Sequence, residues 1–460
     1  MRIQRTHFPR ALALALSLAI AGPASAATDL LQVFELARTS DPSLQAADAN
    51  RLAASEGVPQ ARARLLPQVS GTYTWSDSDS DGTRSDFSQP GGILTVEQVP
   101  FESNSRSRNL RVDVGQTIYD HSDYTQLRGA RADAARADAD YDAAFDNLLL
   151  RVTEAYFGVL TAQDSLSFAE AEEKAVRRQL DQAEQRFEVG LSAITDVHEA
   201  RARADASRAS VILARNGVDD AYEALAEITG QSVDSLKRLQ EELPLDPPDT
   251  EVAQWVDEAL QASPTLRART LQLESSREGV ETAKAGHYPT LEAFLSYSDS
   301  DDAGDTIYSG ELTPNDQDNS TTTIGVRLNV PIFAGGATQS RVRQAIYNRE
   351  AAIDNVEAEK RAVTRSVRNA YRAVLAGLSE VQARNLALVS ARSALEATEA
   401  GFEVGTRTIV DVLISQQQLF QAQRDYSQAR HNLVLNRLRL KQATGTIDFG
   451  DLQAINALLQ

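Results

Sequence analysis

Residues 186–200 read RFEVGLSAITDVHEA and residues 401–415 read GFEVGTRTIVDVLIS, so one motif of glycine, small polar residues and an acid occurs twice. The chemistry these residue types offer is electrostatic. Gly190 and Gly405 suit the left-handed position that ends a helix, and Ser192 or Thr406 can cap the helix that follows. Each stretch therefore reads as a hairpin turn, with Asp196 and Asp411 in a first helical turn where an acid complements the macrodipole. A second reading is a gate. If copies of the chain surround an axis, Asp411 becomes a ring of carboxylates that attracts cations and repels itself. Arg407, one turn earlier, can then bind a neighbouring hairpin through charged hydrogen bonds.

Other candidate chemistries are weaker. DSDSDG at 77–82 begins like a calcium-binding loop, but its twelfth position is Ser88 where a bidentate Glu is needed, and strand patterns flank it. It reads as a solvated extracellular loop, as does Asp299–Asp302. His7, His121, His198, His287 and His431 have no metal-ligand spacing and cysteine is absent, so no metal site or cofactor is expected. Neither a phosphate-binding glycine loop nor a nucleophile elbow occurs. The chain reads as no enzyme, with no catalytic residues.

Composition narrows the setting. Lys and Arg number 46 against 65 Asp and Glu, a formal charge of -19 that disfavours nucleic acid as a partner. The first residues carry Arg2, Arg5 and Arg10, then the apolar run ALALALSLAIAG and PASAA, the pattern of a secretory signal peptide over 1–26 cut after Ala26. Its removal leaves a chain of charge about -22. Past it no apolar run reaches the length of a membrane helix, so any span must be made of strands.

Most of the remaining chain is a tandem duplication. DPSLQAADANRLAASEGVPQARARLLPQVSGTYTWSDS, from Asp41, aligns without gaps on SPTLRARTLQLESSREGVETAKAGHYPTLEAFLSYSDS, from Ser263, pairing Gly57 with Gly279 and Pro67 with Pro289. Each copy opens with a helical stretch stopped by that proline. Alternating strands follow: Val69, Gly71, Tyr73 and Trp75 share one face, as do Leu291, Ala293, Leu295 and Tyr297, and return strands run through Leu110–Val114 and Ile324–Val330. Each copy thus supplies two strands joined by a long polar loop. Residues 122–187 and 337–402 contain no proline and are rich in Ala, Arg, Gln and Glu, which gives helices roughly 100 Å long. Their apolar stripe is narrow and suits a tube or bundle. A Pro-rich connector links the copies, with Trp255 packed beside the long helices.

Four strands with one apolar and one small polar face fit a transmembrane barrel or a soluble sheet packed on helices. In lipid a four-stranded sheet has open edges, so the barrel reading requires oligomers; three chains make twelve strands with an open lumen. The rival architecture is a soluble periplasmic coiled-coil adaptor, against which the duplicated strand pattern argues.

The signal peptide, the duplicated plan, PIFAGG at 331–336 and GFEVGTRTIVDVL resemble the TolC family of outer-membrane channel proteins. The resemblance implies a mixed, mainly α fold: a homotrimer with a shared 12-stranded β-barrel, four strands per protomer, continued by a periplasmic α-helical barrel with a mixed equatorial region. The expected divisions are the signal peptide at 1–26, repeat 1 over 27–230 (strands about 67–119, helices about 120–187 and 193–229), a connector over 231–262, repeat 2 over 263–445 (strands about 289–333, helices about 336–402 and 407–443) and an equatorial segment over 446–460. It further implies a passive exit channel of a tripartite efflux pump or type I secretion system, in the outer membrane and touching its lipid, with a periplasmic adaptor and an inner-membrane transporter as partners. In this family the closed entrance is tied by an arginine matching Arg407, which reaches a pair matching Thr195 and Asp196. The network's aromatic hydroxyl falls at Phe402, which has none. Of the family's two acidic rings, the first matches Asp411 and the second falls at Ile414. Opening is then an iris-like movement of the 402–414 hairpin.

Overall fold

The structure, a computed structural model, describes residues 27–88, 90–92, 94–248 and 250–460; the signal peptide lies outside the described residues. Proline-free, alanine-rich sequence builds its two rods, α4 (His121–Glu188) of 68 residues and α8 (Ala337–Glu403) of 67. At 1.5 Å per residue each is roughly 100 Å long. Asp120 starts the first by accepting the Ser122 N–H at 2.8 Å. Shorter helices stack end to end along them. Near the strands lie α2 (Pro42–Ser55) and α3 (Gly57–Ala63) against α4, and α7 (Pro264–Ala285) against both rods; toward the far end α5 (Ile194–Thr229) lies on α4, and α9 (Ile409–Thr444) on α8 and α4.

Where the short helices meet, midway along the rods, sits the largest apolar core. Leu148, Val152, Tyr156 and Phe157 of α4 meet Leu225, Leu435, Leu438 and the amphipathic end pieces α1 (Leu30–Ser40) and α10 (Phe449–Asn456). The connector crosses here and forms β-bridges from Leu236 to Thr28 and from Leu239 to Leu459. Tyr156 ties the crossing down, its hydroxyl donating to the Lys237 carbonyl at 2.9 Å. Asp41 is buried as the cap of α2. Burial raises its pKa, but hydrogen bonds from Ser43, Arg151 and the Leu44 N–H outweigh that and hold it below the usual carboxylate range. Helix α6 (Val252–Ala262) lies within the connector and packs half-buried Trp255 against α8 and α9.

At one end of the rods β1 (Gln68–Ser88), β2 (Thr95–Tyr119), β3 (Thr290–Tyr308), β4 (Glu311–Pro314) and β5 (Gln317–Asn329) form one antiparallel sheet. Segments β4 and β5 pair the same side of β3 in one register, interrupted at 315–316, so the five segments fill four positions. Across these positions Val69, Val114, Leu295 and Ile324 form one apolar row; on the opposite face Ser70, Asp113, Ser296 and Thr323 form a polar one. The apolar face is uncovered within the chain, with Val69 69% and Ile324 81% exposed.

The long polar loops expected between strands are instead strand. DSDSDG lies inside β1 and Asp299–Asp302 inside β3. Alternating Ser, Thr and Asp keep the ladder polar on both faces, and Arg106 and Arg108 of β2 pair the acids of both neighbours, Asp77 at 3.4 Å and Asp301 at 3.6 Å. The actual β3–β4 turn is the two residues Ser309 and Gly310, both at positive φ, the geometry of a tight hairpin.

One buried titratable group joins α4 to α9 below the core. His431 is 3% exposed. Thr161 gives its hydroxyl proton to the Phe157 carbonyl, so the His431 Nδ1–H donates to Thr161 Oγ1 at 2.8 Å and Nε2 faces Asp164 at 3.9 Å. Burial, aided by Arg430, pushes the imidazolium down to about 4 despite the Asp164 carboxylate. The unfolded chain takes up that proton near pH 6.5. Stability from this group is thus full above about pH 6.5 and falls as pH drops toward about 4, by at most about 1.4 kcal/mol per pH unit. The thermal unfolding midpoint should decline across that window and decline less in His431→Gln; equal slopes in the two proteins contradict the assignment.

Candidate functional site: the hairpin tips

The end of the rods opposite the sheet carries both FEVG motifs. The outer turn leaves α4 at Glu188 and enters α5 at Ile194; the inner leaves α8 at Glu403 and enters α9 at Ile409. Gly190 has φ +75° and Gly405 φ +81°, conformations that a side chain would strain. Matching backbone bonds close both turns: the Leu191 N–H donates to the Arg186 carbonyl at 2.7 Å and the Thr406 N–H to the Gly401 carbonyl at 2.9 Å.

Beyond the glycines the two turns differ. Thr406 does not cap; its hydroxyl donates back to the Gly401 carbonyl at 3.0 Å. The inner cap is Thr408, two residues later, in a reciprocal box with Asp411: the Asp411 N–H donates to Thr408 Oγ1 at 3.3 Å and the Thr408 N–H to Asp411 Oδ2 at 2.9 Å. In the outer turn Ala193 occupies the cap position and supplies no side-chain acceptor, while the Ser192 hydroxyl donates to Asp196 Oδ2 at 2.7 Å. The caps therefore fall one residue beyond Ser192 in the outer turn and two beyond Thr406 in the inner, where the Thr406 N–H and hydroxyl are both taken up by the Gly401 carbonyl.

Asp411 is ionised at a depressed pKa. The Thr408 N–H is the main cause, the Thr408 hydroxyl adds to it, and Arg407 contributes through its charge. Arg407 is exposed, and among the described residues its guanidinium has no hydrogen-bond acceptor. Its stem folds over Gly401, where an added Cβ would lie 2.8 Å from Arg407 Cγ. Ile414 lies on the same helix face as Asp411, three residues on, and is 39% exposed.

Within one chain the structure brings Arg407, Thr408 and Asp411 together and keeps Thr195 and Asp196 apart from them on the outer hairpin. Phe402 joins the two hairpins. It packs on a small core of Val176, Ala183, Val197, Ala200, Ile409 and Leu413. The Arg186 guanidinium stacks over its ring, 4.7 Å from the centroid. Sequence reasoning missed Arg186, Gly401 and Thr408. The signal for all three lies among the eight positions where the aligned stretches disagree, which include Arg186 against Gly401, Ser192 against Arg407 and Ala193 against Thr408.

A family model described as outer membrane efflux protein matches residues 33–231 and 255–446, leaving out the Pro-rich connector. The outer membrane protein TolC of Vibrio cholerae is 38% identical over 435 residues, covering 94% of each chain. The alkaline protease secretion protein AprF of Pseudomonas aeruginosa is 29% identical over 440 residues, 94% of this chain and 87% of that one. The crystal structure of the Campylobacter jejuni CmeC outer membrane channel superposes with a TM-score of 0.73 over 99% of this chain and 98% of that chain at 15% identity, a likeness of fold.

The capping box predicts a local effect. Thr408→Ala should destabilise the start of α9 by about 1 kcal/mol. Amide hydrogen exchange at residues 409–412 should then accelerate about fivefold relative to the wild type, with residues 194–197 unchanged; unaltered exchange at 409–412 contradicts the box.

Proposed function

This chain belongs to the outer membrane efflux protein family, and from that premise we propose that it is a passive outer-membrane exit channel serving efflux or type I secretion, gated at the hairpin tips. The observation that carries the reading is the uncovered apolar sheet face with open β1 and β5 edges, at one end of rods roughly 100 Å long. Three chains closing those edges make a barrel of twelve strands whose polar face, with Ser70, Asp113, Ser296 and Thr323, lines the lumen. No helix among the described residues is long and apolar enough to cross a membrane, so the strands carry the span. The relatives are channel proteins, and energy is supplied by partners: a periplasmic adaptor and an inner-membrane transporter. The duplication, with repeats over 27–230 and 263–445, gives each trimer six hairpins at the tip.

The gate follows from what the single chain leaves unsatisfied. Arg407 is charged and exposed, and among the described residues its guanidinium has no acceptor, while Thr195 and Asp196 stand on the other hairpin. In the trimer Arg407 reaches the Thr195–Asp196 pair of the neighbouring chain and ties the entrance shut. Three copies of Asp411 form an acidic ring, and three of Ile414 an apolar one beside it. Opening is an iris-like movement of 402–414 away from the neighbouring hairpins.

Planar bilayers test both parts. Arg407→Ser should raise single-channel conductance severalfold, and unchanged conductance refutes the tie. Asp411→Ala should weaken block by trivalent cations at least tenfold; equal block in both proteins removes the ring.

A further inference from the structure

The two hairpins of one chain carry the same motif but not the same first residue. Arg186 stands in the outer copy where Gly401 stands in the inner. That single difference has two structural effects. Gly401, having no Cβ, lets the Arg407 stem fold across the inner turn. Arg186, in the last turn of α4, extends across the groove between α4 and α8 and lays its guanidinium over the Phe402 ring. Phe187, the outer counterpart of Phe402, has no such partner among the described residues and is 42% exposed.

Higher up, the hairpins of one chain are joined by polar contacts between helices: Arg424 pairs Glu172 at 3.1 Å and Arg203 donates to Gln417 Oε1 at 3.1 Å. At 1.5 Å per residue the Arg203–Gln417 contact lies roughly 12–14 Å above the turns and the Arg424–Glu172 contact roughly 22–24 Å. The small apolar core and the Arg186–Phe402 stack hold the ends themselves.

We propose that Arg186 is a positioning residue of the gate: stacked on Phe402, it latches the inner hairpin to the outer hairpin of the same chain, doing within one protomer what Arg407 does between protomers. The proposal rests on the gate reading and adds to it. A cation held over an aromatic face needs no hydroxyl, so the latch works with phenylalanine at 402. It is also weak enough to release. Two halves of the contact half-exposed to water can be broken by a docking partner without unfolding either hairpin.

The test is single-channel recording of the purified trimer in planar bilayers. Arg186→Gln and Phe402→Leu should each raise the open fraction, by about two- to fivefold for each latch released. The double variant should match either single one, since both remove the same contact. Arg186→Lys and Phe402→Tyr, which keep a cation and a ring, should stay near the wild type. Arg186→Gln without effect while Arg407→Ser opens the channel would overturn the latch and leave the gate standing. Additive effects in the double variant would also overturn it, showing two separate roles. If neither Arg186→Gln nor Arg407→Ser opens the channel, both the latch and the gate are wrong.

Discussion

Hydrocarbon offers no hydrogen-bond partners to an open strand edge, and this chain has two such edges. β1 and the β4–β5 strand bound a sheet of four positions whose apolar rows face outward. Each unpaired N–H and C=O in lipid costs several kcal/mol. The sheet can therefore enter a membrane only when further chains complete it. The rest of the architecture follows from that closure. Helices that continue directly from strands arranged in a ring must themselves stand in a ring, and side-by-side packing of rods leaves only a narrow seam to bury. Alanine and small polar residues fill that seam in α4, at Ala132, Ala137, Ala139, Ala169, Ala175 and Ala183. Large side chains concentrate at one level, where α1, α10 and the connector thicken the wall around Tyr156 and Phe157.

This distribution of packing sets what can move. The middle of the rods is anchored by a dense apolar cluster, an ion pair of buried Asp41 with half-buried Arg151, and connector bridges. The tips have a small cluster of mostly valine and alanine and contacts that are individually weak. The proposed gate lies at the end where fewer interactions must be exchanged, and the duplication places two hairpins there. Three of the positions at which they differ shape the inner turn: Thr408 caps its helix, Arg407 carries a charge with no acceptor among the described residues, and Gly401 leaves room for the Arg407 stem.

The rods and their turns could be read in the sequence because their signals are local: an absence of proline, Asp120 before a helical run, and a glycine that only a positive φ explains. The strand pattern was readable where apolar residues alternate, from Val69 to Trp75. It failed from Asp77 onward, because Ser and Asp alternation has the composition of a loop, and what makes it a strand is a register with Arg106 and Arg108 some thirty positions away. The cap was placed two residues early at Thr406, since Thr406 and Thr408 have equal propensity and only the turn's own hydrogen bonds separate them. The Arg186–Phe402 stack joins residues in different halves of the chain, and no local pattern announces it. Comparing the two copies position by position would have pointed to it.

Closure of the barrel between chains is open to direct measurement, because the chain contains no cysteine. Within one chain β1 and β5 are separated by β2 and β3, three interstrand steps of roughly 4.8 Å each, well beyond the Cα separation a disulfide tolerates. Thr72→Cys in β1 can be combined in turn with substitutions to Cys along β5, from Asn319 to Arg327, and the membrane-assembled protein oxidised. The account predicts that at one or two registers the chains migrate on a denaturing gel as a covalent trimer that reverts to monomer on reduction. Folded, membrane-inserted protein that stays monomeric at every register would contradict it.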